Sequence, residues 1–172
     1  MDKCCHTSKP SRTKKYVTFI LCMTINILCV FSMFKIKTTH IIGNSMHPTL
    51  ATGDICVMYK TQNVERSNIV AVYYEGMLLA KRIIGIPGDS IIISNKCILI
   101  KPKNGISYLT LDEPWIMSEI EDNQGRWSIK LKENEYWIQG DHRINSLDSR
   151  TFGPIDKSQI LGVLYFRLWR NL

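Results

Sequence analysis

The sequence lacks the clusters of cysteine and histidine that bind metal ions. Its six cysteines form no C-x-x-C pair, and none of its four histidines has a second ligand at the spacing of a metal site. We therefore expect neither a metal ion nor any other cofactor. The sequence also has no internal repeat and no low-complexity run, so a repeat architecture is not expected either.

An excess of basic residues is missing from the part of the chain where a nucleic-acid-binding face would need it. The net charge is +7, but residues 1–15 alone carry five Lys/Arg against one Asp, and Lys35 and Lys37 add two further positive charges. Residues 38–172 hold 15 Lys/Arg against 14 Asp/Glu and are close to neutral. Nucleic-acid-binding domains usually carry a basic face of their own. We therefore expect no nucleic-acid partner.

The longest stretch without any charge covers residues 16–34. These 19 residues would span about 28 Å as an α-helix, close to the roughly 30 Å hydrocarbon core of a bilayer. The run is long for a signal peptide, and no A-x-A-like cleavage site follows it. We predict an uncleaved membrane anchor, with phospholipid as a partner. Because basic residues are concentrated before the anchor, the N-terminus is expected in the cytoplasm.

The chain is thus predicted to have three parts: a basic cytoplasmic tail (1–15), a transmembrane helix (16–34) and an extracytoplasmic domain (35–172). In the third part, short runs rich in Ile, Val and Tyr alternate with turn residues, which is typical of β-strands. We predict strands at 54–59, 68–74, 78–86, 90–94, 97–100, 127–131, 136–139 and 162–169. The mostly polar residues 101–126 are predicted to form a long loop or hairpin excursion.

The predicted fold class is therefore all-β, a small barrel-like or sandwich core preceded by one transmembrane helix. Cys56 and Cys97 are the only cysteines in this domain, and the sequence leaves open whether they form a disulfide.

Within the polar excursion, Pro114, Trp115 and Ile116 with Met117 form an apolar patch. This patch either packs on the core or dips into the membrane interface, where aromatic residues are enriched.

Ser45 is the first residue with a candidate catalytic role. It lies between Gly43-Asn44 and Pro48, residues that permit unusual backbone angles and end regular structure. A turn of this kind exposes a hydroxyl and directs backbone N–H groups toward one point, as a nucleophile with an oxyanion hole requires. Taken alone the pattern is weak, because most serines in such surroundings are ordinary turn residues.

Lys81 strengthens the case for catalysis because it lies in the apolar run 78–86. Alternate residues of a strand share a face, so Lys81 should project with Leu79 and Ile83. An ammonium among apolar groups loses hydration, its pKa falls, and the neutral amine can take a proton from a serine hydroxyl. The alternative is an edge-strand lysine whose amine extends to water. Arg82 should project the opposite way, into an ion pair or into solvent.

A dense polar loop, residues 139–150, follows the predicted strand 136–139 and is suited to supporting a catalytic side chain through hydrogen bonds. Ser146 is a candidate for orienting the Lys81 amine. Asp148 and Arg150 are candidates for an ion pair that holds the loop. A capped surface turn is the alternative. The remaining candidates for supporting roles are Asp141 and Asn145.

His142 in this loop raises the option of a Ser/His/Asp triad, formed with Ser45 and either Asp141 or Asp148. The sequence does not exclude this arrangement. A lysine on an otherwise apolar strand face makes the Ser45/Lys81 pair the preferred interpretation.

Three stretches together resemble the conserved boxes of bacterial type I signal peptidases, in the order that this family has. Residues 43–50 (GNSMHPTL) are similar to the nucleophile box, in which S-M-x-P-T holds the catalytic serine. Residues 81–89 (KRIIGIPGD) resemble the lysine box, and residues 140–154 (GDHRINSLDSRTFGP) resemble the third box. The resemblance covers residues 16–170, and the short spacing between the second and third boxes is similar to the short Gram-positive type.

The resemblance implies a Ser/Lys dyad of Ser45 and Lys81 on a β-rich fold, which cleaves signal peptides from translocated preproteins at the outer face of the membrane. It implies that the Ser45 N–H contributes to the oxyanion hole and that Ser146 helps to position Lys81. It implies structural roles for Asp148 and Arg150. It also implies small substrate side chains one and three residues before the cut.

Two positions depart from the family pattern. Gly43 stands where some members carry a second hydroxyl directed at the oxyanion, so the hole must rely on other donors. His142 stands where asparagine is common. Two other functions remain as alternatives: a processing protease like the mitochondrial inner-membrane peptidase, which has the same dyad, and an inactive membrane-tethered β domain that binds partners.

Overall fold

The computed structural model describes residues 12–33, 35–94, 97–116 and 127–169. The chain divides into two units, residues 1–35 and residues 36–172. In the first unit, helix α1 runs from Arg12 to Met33. Its stretch from Thr13 to Val30 is long and apolar enough to cross a membrane and is not buried within the structure. The helix begins before the predicted anchor; Phe34 and most of the predicted tail lie outside the described residues.

Polar side chains inside α1 bond to its own backbone. Thr18 Oγ1 donates to the carbonyl of Lys14 at 2.9 Å, and Asn26 Nδ2 donates to the carbonyl of Cys22 at 2.8 Å. Polar groups in a bilayer require internal partners, because hydrocarbon offers none. These two residues are therefore compatible with a membrane span.

The described residues of the second unit form eleven strands and two short helical turns. In chain order these are β1 (Ile36–His40), β2 (Ile55–Tyr59), β3 (Ile69–Tyr74), β4 (Met77–Gly85), β5 (Ser90–Ser94), β6 (Cys97–Lys101), β7 (Leu109–Thr110), β8 (Trp127–Lys130), β9 (Glu135–Gln139), α2 (Ser149–Phe152), β10 (Ile155–Asp156), a 3₁₀ turn (Lys157–Gln159) and β11 (Ile160–Trp169). The all-β prediction is confirmed.

The strands form two antiparallel sheets. The larger sheet has the order β1-β2-β11-β3-β4-β9-β10, and the smaller has the order β7-β6-β5-β8. β4 is the strand that matters for function. It pairs with β3 from Met77 to Arg82, but its pairing with β9 begins only at Arg82. Within the described part of the chain, the first half of β4 therefore has one paired edge and one open edge.

Among the described residues, three clusters of buried side chains form the core. One lies around β3, β4, β9 and β11, and another joins β4 and β9 to the smaller sheet. In the latter cluster, a Cβ on Gly85 would lie 2.2 Å from Ile91 Cδ1 and 2.8 Å from Leu131 Cδ1. Glycine at that position lets the two sheets approach closely. The third cluster lies beneath the segment that carries Ser45 and includes Met46, Leu50 and Cys56.

All eight predicted strands are present, each within two residues of its predicted ends. Three strands were missed, β1, β7 and β10. β1 is an edge strand with four of its five residues exposed, so it shows no alternation of polar and apolar residues. β7 and β10 have only two residues each. β7 interrupts the predicted excursion at 101–126, of which residues 117–126 lie outside the described chain.

Candidate active site

Ser45 lies in the turn segment between β1 and β2. Gly43 adopts a φ of 94°, a left-handed conformation that favours glycine, and its N–H donates to Thr52 Oγ1 at 3.0 Å. The next residue after the serine, Met46, is buried in the core, and its carbonyl accepts from the N–H of Leu50 at 2.8 Å. A buried neighbour thus fixes the backbone while Ser45 itself stays partly exposed.

Lys81 meets Ser45 directly. Its Nζ donates to Ser45 Oγ at 2.5 Å, although the two residues are 36 positions apart in the chain. Lys81 lies on β4 opposite Val70 of β3 and is only 2% exposed. Burial lowers the pKa of the Lys81 ammonium from 10.5 to about 8, against the opposing charges of Asp148 and Asp141. About one amine in ten is therefore neutral at pH 7.

Arg82, the next residue along β4, projects to the other face and forms a buried ion pair. Its Nε donates to Asp141 Oδ1 at 2.8 Å, and its Nη2 donates to Asp141 Oδ2 at 2.5 Å. Thr49 Oγ1 donates to the same carboxylate at 2.5 Å. The sequence predicted either an ion pair or solvent exposure for Arg82, and the structure has the ion pair. The contact joins β4 to the loop at 139–150 and to the segment that carries Ser45.

Asp148 organises the rest of that loop. Its carboxylate accepts from the N–H of Gly140 at 3.0 Å and pairs with Arg150 at 2.8 Å, so the predicted Asp148–Arg150 ion pair is present. It also caps the N-terminus of α2. Burial raises the pKa of the Asp148 carboxyl, but the hydrogen bonds and charge of Arg150 outweigh burial and leave this pKa below its ordinary value.

The same loop packs against the main chain of the serine. The N–H of His142 donates to the carbonyl of Ser45 at 3.0 Å. A Cβ on Gly140 would lie 2.4 Å from that carbonyl oxygen and 2.2 Å from Ser146 Oγ, so only glycine fits there. The loop and the serine segment are therefore in close backbone contact.

Ser146 and Asn145 are the two remaining candidates for supporting roles. Ser146 Oγ is buried beside the Asp148 carboxylate, whose pKa it helps to lower, and makes no hydrogen bond to the Lys81 amine among the described residues. Instead it packs beside Gly140, where the backbone passes too closely to leave room for a side chain. Asn145 is exposed, and its N–H donates to the carbonyl of His142. Neither side chain touches the Ser45–Lys81 pair through a hydrogen bond.

His142 does not occupy the position that a triad requires. Its Nδ1 faces the carbonyl of Asn44 at 3.3 Å, and its ring lies 6.3 Å from that of His47, edge to face. The Ser45 hydroxyl is bonded to Lys81 instead. The geometry therefore favours the lysine over the histidine as the partner of the serine.

A cleft of about 160 Å³ opens beside the Ser45–Lys81 pair. One wall consists of the end of β1 and the residues after it, and the other consists of the open half of β4. The lining residues are Thr39, His40, Ile41, Ile42, Gly43, Ser45, Met46, Ala71, Leu78, Leu79, Ala80, Lys81 and Leu164. Apart from Thr39, His40 and the pair itself, the side chains that line the cleft are apolar.

Other candidate chemistry has little support in the described part of the chain. No group of three or more His, Cys, Asp or Glu among the described residues could hold a metal ion. Cys56 is a buried thiol in the core, and burial raises its pKa. It is not joined to Cys97, which answers the question that the sequence left open.

The sequence did not reveal two contacts made by residues 111–116. The Glu113 carboxylate pairs with Arg143, and the Trp115 ring lies 4.2 Å from the guanidinium carbon of Arg82. Of the two predictions for the Trp115 patch, the structure therefore favours packing over insertion into a membrane; Met117 lies outside the described residues. Both contacts join residues about 30 positions apart, and no local pattern in the sequence indicates them.

Comparison with known proteins places the chain in a family. The family described as signal peptidase, peptidase S26, matches residues 13–169. The chain is 29% identical to signal peptidase IB of Staphylococcus aureus, over 91% of each chain. It is 28% identical to signal peptidase I of Streptococcus pneumoniae, over 91% of this chain and 92% of the relative.

A solved structure of a signal peptidase I from Enterococcus faecalis is 27% identical, with a TM-score of 0.51, and covers 60% of this chain and 97% of its own. The fold, the family match and these relatives agree with one another. This chain therefore belongs to the signal peptidase family, peptidase S26, and is a serine endopeptidase.

Proposed function

We propose that this protein removes N-terminal signal peptides from translocated preproteins, with Ser45 as the nucleophile and Lys81 as its general base. One observation carries the assignment of these two residues: the 2.5 Å contact between Lys81 Nζ and Ser45 Oγ, made by a lysine that is 2% exposed. A general base must lie within hydrogen-bond reach of the atom whose proton it takes, no farther than about 3.2 Å between heavy atoms. The contact meets this distance requirement, and burial lowers the pKa of the Lys81 amine toward neutrality.

The chemistry follows from that contact. The neutral Lys81 amine accepts the hydroxyl proton as Ser45 Oγ attacks the scissile carbonyl. The resulting ammonium then gives a proton to the departing amine, which leaves an ester on Ser45. Water, deprotonated by the same amine, hydrolyses the ester and restores the serine. Each proton taken up by Lys81 is released within the cycle, so no cofactor is needed.

The N–H of Ser45 is the donor that we assign to the oxyanion. It makes no hydrogen bond to any residue in the described part of the chain, although backbone N–H groups in folded proteins are usually bonded. Gly43 supplies no side-chain hydroxyl, so a backbone donor must stabilise the developing negative charge. An unsatisfied N–H beside the attacking oxygen supports this role.

The open edge of β4 supports binding of an extended peptide. Among the residues that the structure describes, the part of β4 before Arg82 pairs with β3 alone, and an unpaired strand edge can add a further strand from a bound chain. The adjacent cleft is about 160 Å³, enough for small side chains but not for several large ones. We therefore propose that it accepts small substrate residues before the cut, as in an A-x-A site.

Helix α1 supports a membrane location, and the basic residues before it support a cytoplasmic N-terminus with the catalytic unit on the outer side. In this arrangement the enzyme and a preprotein anchored by its own apolar segment share one plane. Tethering of this kind raises the effective concentration of the substrate at the site.

The alternatives predict different contacts or different relatives. An inactive binding domain does not require Lys81 to bond to Ser45. The relatives described above come from Gram-positive bacteria, which supports the bacterial type of peptidase over the mitochondrial type.

The test is cleavage of a preprotein with an A-x-A site by the detergent-solubilised full chain, beside Ser45→Ala, Lys81→Ala and His142→Ala. We expect the parent to cut at the site, the first two variants to lose about 10⁴-fold or more in kcat, and His142→Ala to stay active. Circular dichroism should show that all variants are folded. A folded parent that cuts nothing would leave the binding-domain alternative in first place.

A further inference from the structure

Residues 111–116, here called the strap, lie outside the three sequence boxes yet contact two of them. The first residue of the strap, Leu111, is bonded to β6: its N–H donates to the carbonyl of Ile98 at 2.7 Å. It then reaches Arg143 through Glu113 and Arg82 through Trp115. Because Arg82 adjoins the candidate base Lys81, both contacts lead toward the same site.

The Glu113–Arg143 pair is removed from water. Arg143 is 1% exposed, and the Glu113 side chain is 9% exposed. Both terminal nitrogens of the guanidinium bond to the two carboxylate oxygens, the fork geometry that fixes orientation as well as distance. A buried charge that loses its partner must be rehydrated or move. Glu113 is therefore needed for Arg143 to stay where it is.

Arg143 in turn fixes the loop against the serine. Its third nitrogen, Nε, donates to the carbonyl of Gly140 at 3.1 Å. Gly140 packs so tightly on the Ser45 carbonyl that no Cβ fits between them. Next along the loop, the N–H of His142 bonds to that same carbonyl at 3.0 Å. One continuous path of contacts therefore runs from the Glu113 carboxylate to the Ser45 peptide group.

We infer that Glu113 is a positioning residue for this peptidase, acting through Arg143 and Gly140 on the backbone of Ser45. This role rests on the proposed function of Ser45 and Lys81. Loss of the Glu113 charge releases Arg143 and then the loop, so that the Ser45 hydroxyl and N–H lose their alignment with Lys81 and with the substrate carbonyl. A misplacement of about 1 Å can lower a rate about a hundredfold. The open edge of β4 is untouched, so peptide binding persists.

The experiment compares steady-state cleavage by the full chain with that of Glu113→Gln and Glu113→Asp. The glutamine variant keeps the shape and removes the charge, and the aspartate variant keeps the charge. We expect Glu113→Gln to lower kcat about 10- to 100-fold with KM within about twofold, and Glu113→Asp to recover most of that loss. The matched control is Glu133→Gln, which removes an exposed ion pair with Lys103 and should leave kcat unchanged.

The double variant Glu113→Gln/Arg143→Met separates positioning from folding. Removing both charges leaves no unpaired buried ion, so thermal stability should return toward that of the parent. The donor to the Gly140 carbonyl is still missing, so kcat should stay low. Recovery of kcat together with stability would overturn the positioning role, as would a Glu113→Gln variant with parental kcat. If Ser45→Ala also cleaves, the proposed function itself fails, and the role inferred for Glu113 fails with it.

Discussion

The lowered pKa of Lys81 fixes the pH range in which the proposed mechanism can operate. With a pKa of about 8 instead of 10.5, the neutral fraction of the amine at pH 7 is about 9%, against about 0.03% for an unperturbed lysine. Burial thus raises the concentration of competent base about 300-fold. Since the base must be neutral to act, kcat/KM should fall about tenfold for each pH unit below 8 and level off above it.

The assay is initial-rate cleavage of a preprotein between pH 5 and 10, with folding checked at each pH. The profile of kcat/KM reports on the free enzyme, so its acidic limb should have a midpoint near the pKa of Lys81. The acidic limb of the kcat profile should have its midpoint at a lower pH than that of kcat/KM. A bound peptide further dehydrates the Lys81 amine, and this lowers its pKa. A midpoint near 6.5 that disappears in His142→Ala would refute the reasoning, because it would make a histidine the base.

Three further predictions concern stability and packing. Lys81→Met should abolish cleavage yet raise the free energy of unfolding at pH 7 by about 1–3 kcal/mol in chemical denaturation, because it removes a buried ammonium. Asp141→Asn should lower the free energy of unfolding by about 3–5 kcal/mol in the same assay, because it leaves the Arg82 guanidinium buried without its counter-charge. Gly140→Ala should lower kcat about a hundredfold or more in the cleavage assay, since its Cβ would displace the Ser45 carbonyl.

The first of these predictions also has a pH signature. The unfolded chain binds a proton at Lys81 up to about pH 10.5, whereas the folded chain releases it near pH 8. The stability of the parent should therefore rise with pH across that window, and this rise should be absent in Lys81→Met. A variant that is less stable than the parent at pH 7 would show that the buried amine stabilises the fold.

Most of the strands that were predicted correctly have one buried face or two. β3 is a run of apolar residues, and β4 is such a run interrupted by Lys81 and Arg82; their periodicity and flanking turns are local properties of the sequence. β1 escaped prediction because its edge position leaves it with hardly any buried side chain. Pairing with β2, not its own pattern, makes it a strand. Such tertiary pairing leaves no local signal.

The candidate site was predicted unevenly for a similar reason. The position of Lys81 on an apolar strand face indicated its burial, and the motif resemblance paired it with Ser45. The ion pair between Arg82 and Asp141 joins residues 59 positions apart. The sequence indicated an ion pair as one option for Arg82, but it did not indicate that Asp141 is the partner. Glu113 lay in a polar stretch that looked like an ordinary loop. Its role depends on packing against Arg143, which no spacing along the chain expresses.

The central claim is that Ser45 forms the acyl-enzyme and that Lys81 removes its proton. The most direct measurement is rapid acid quenching of the enzyme with a peptide substrate, followed by mass spectrometry of the trapped ester. We predict that the acyl group maps to Ser45 and that acylation slows about 10⁴-fold or more in a folded Lys81→Met variant. An acyl group on another residue, or acylation at the parental rate without Lys81, would contradict the account.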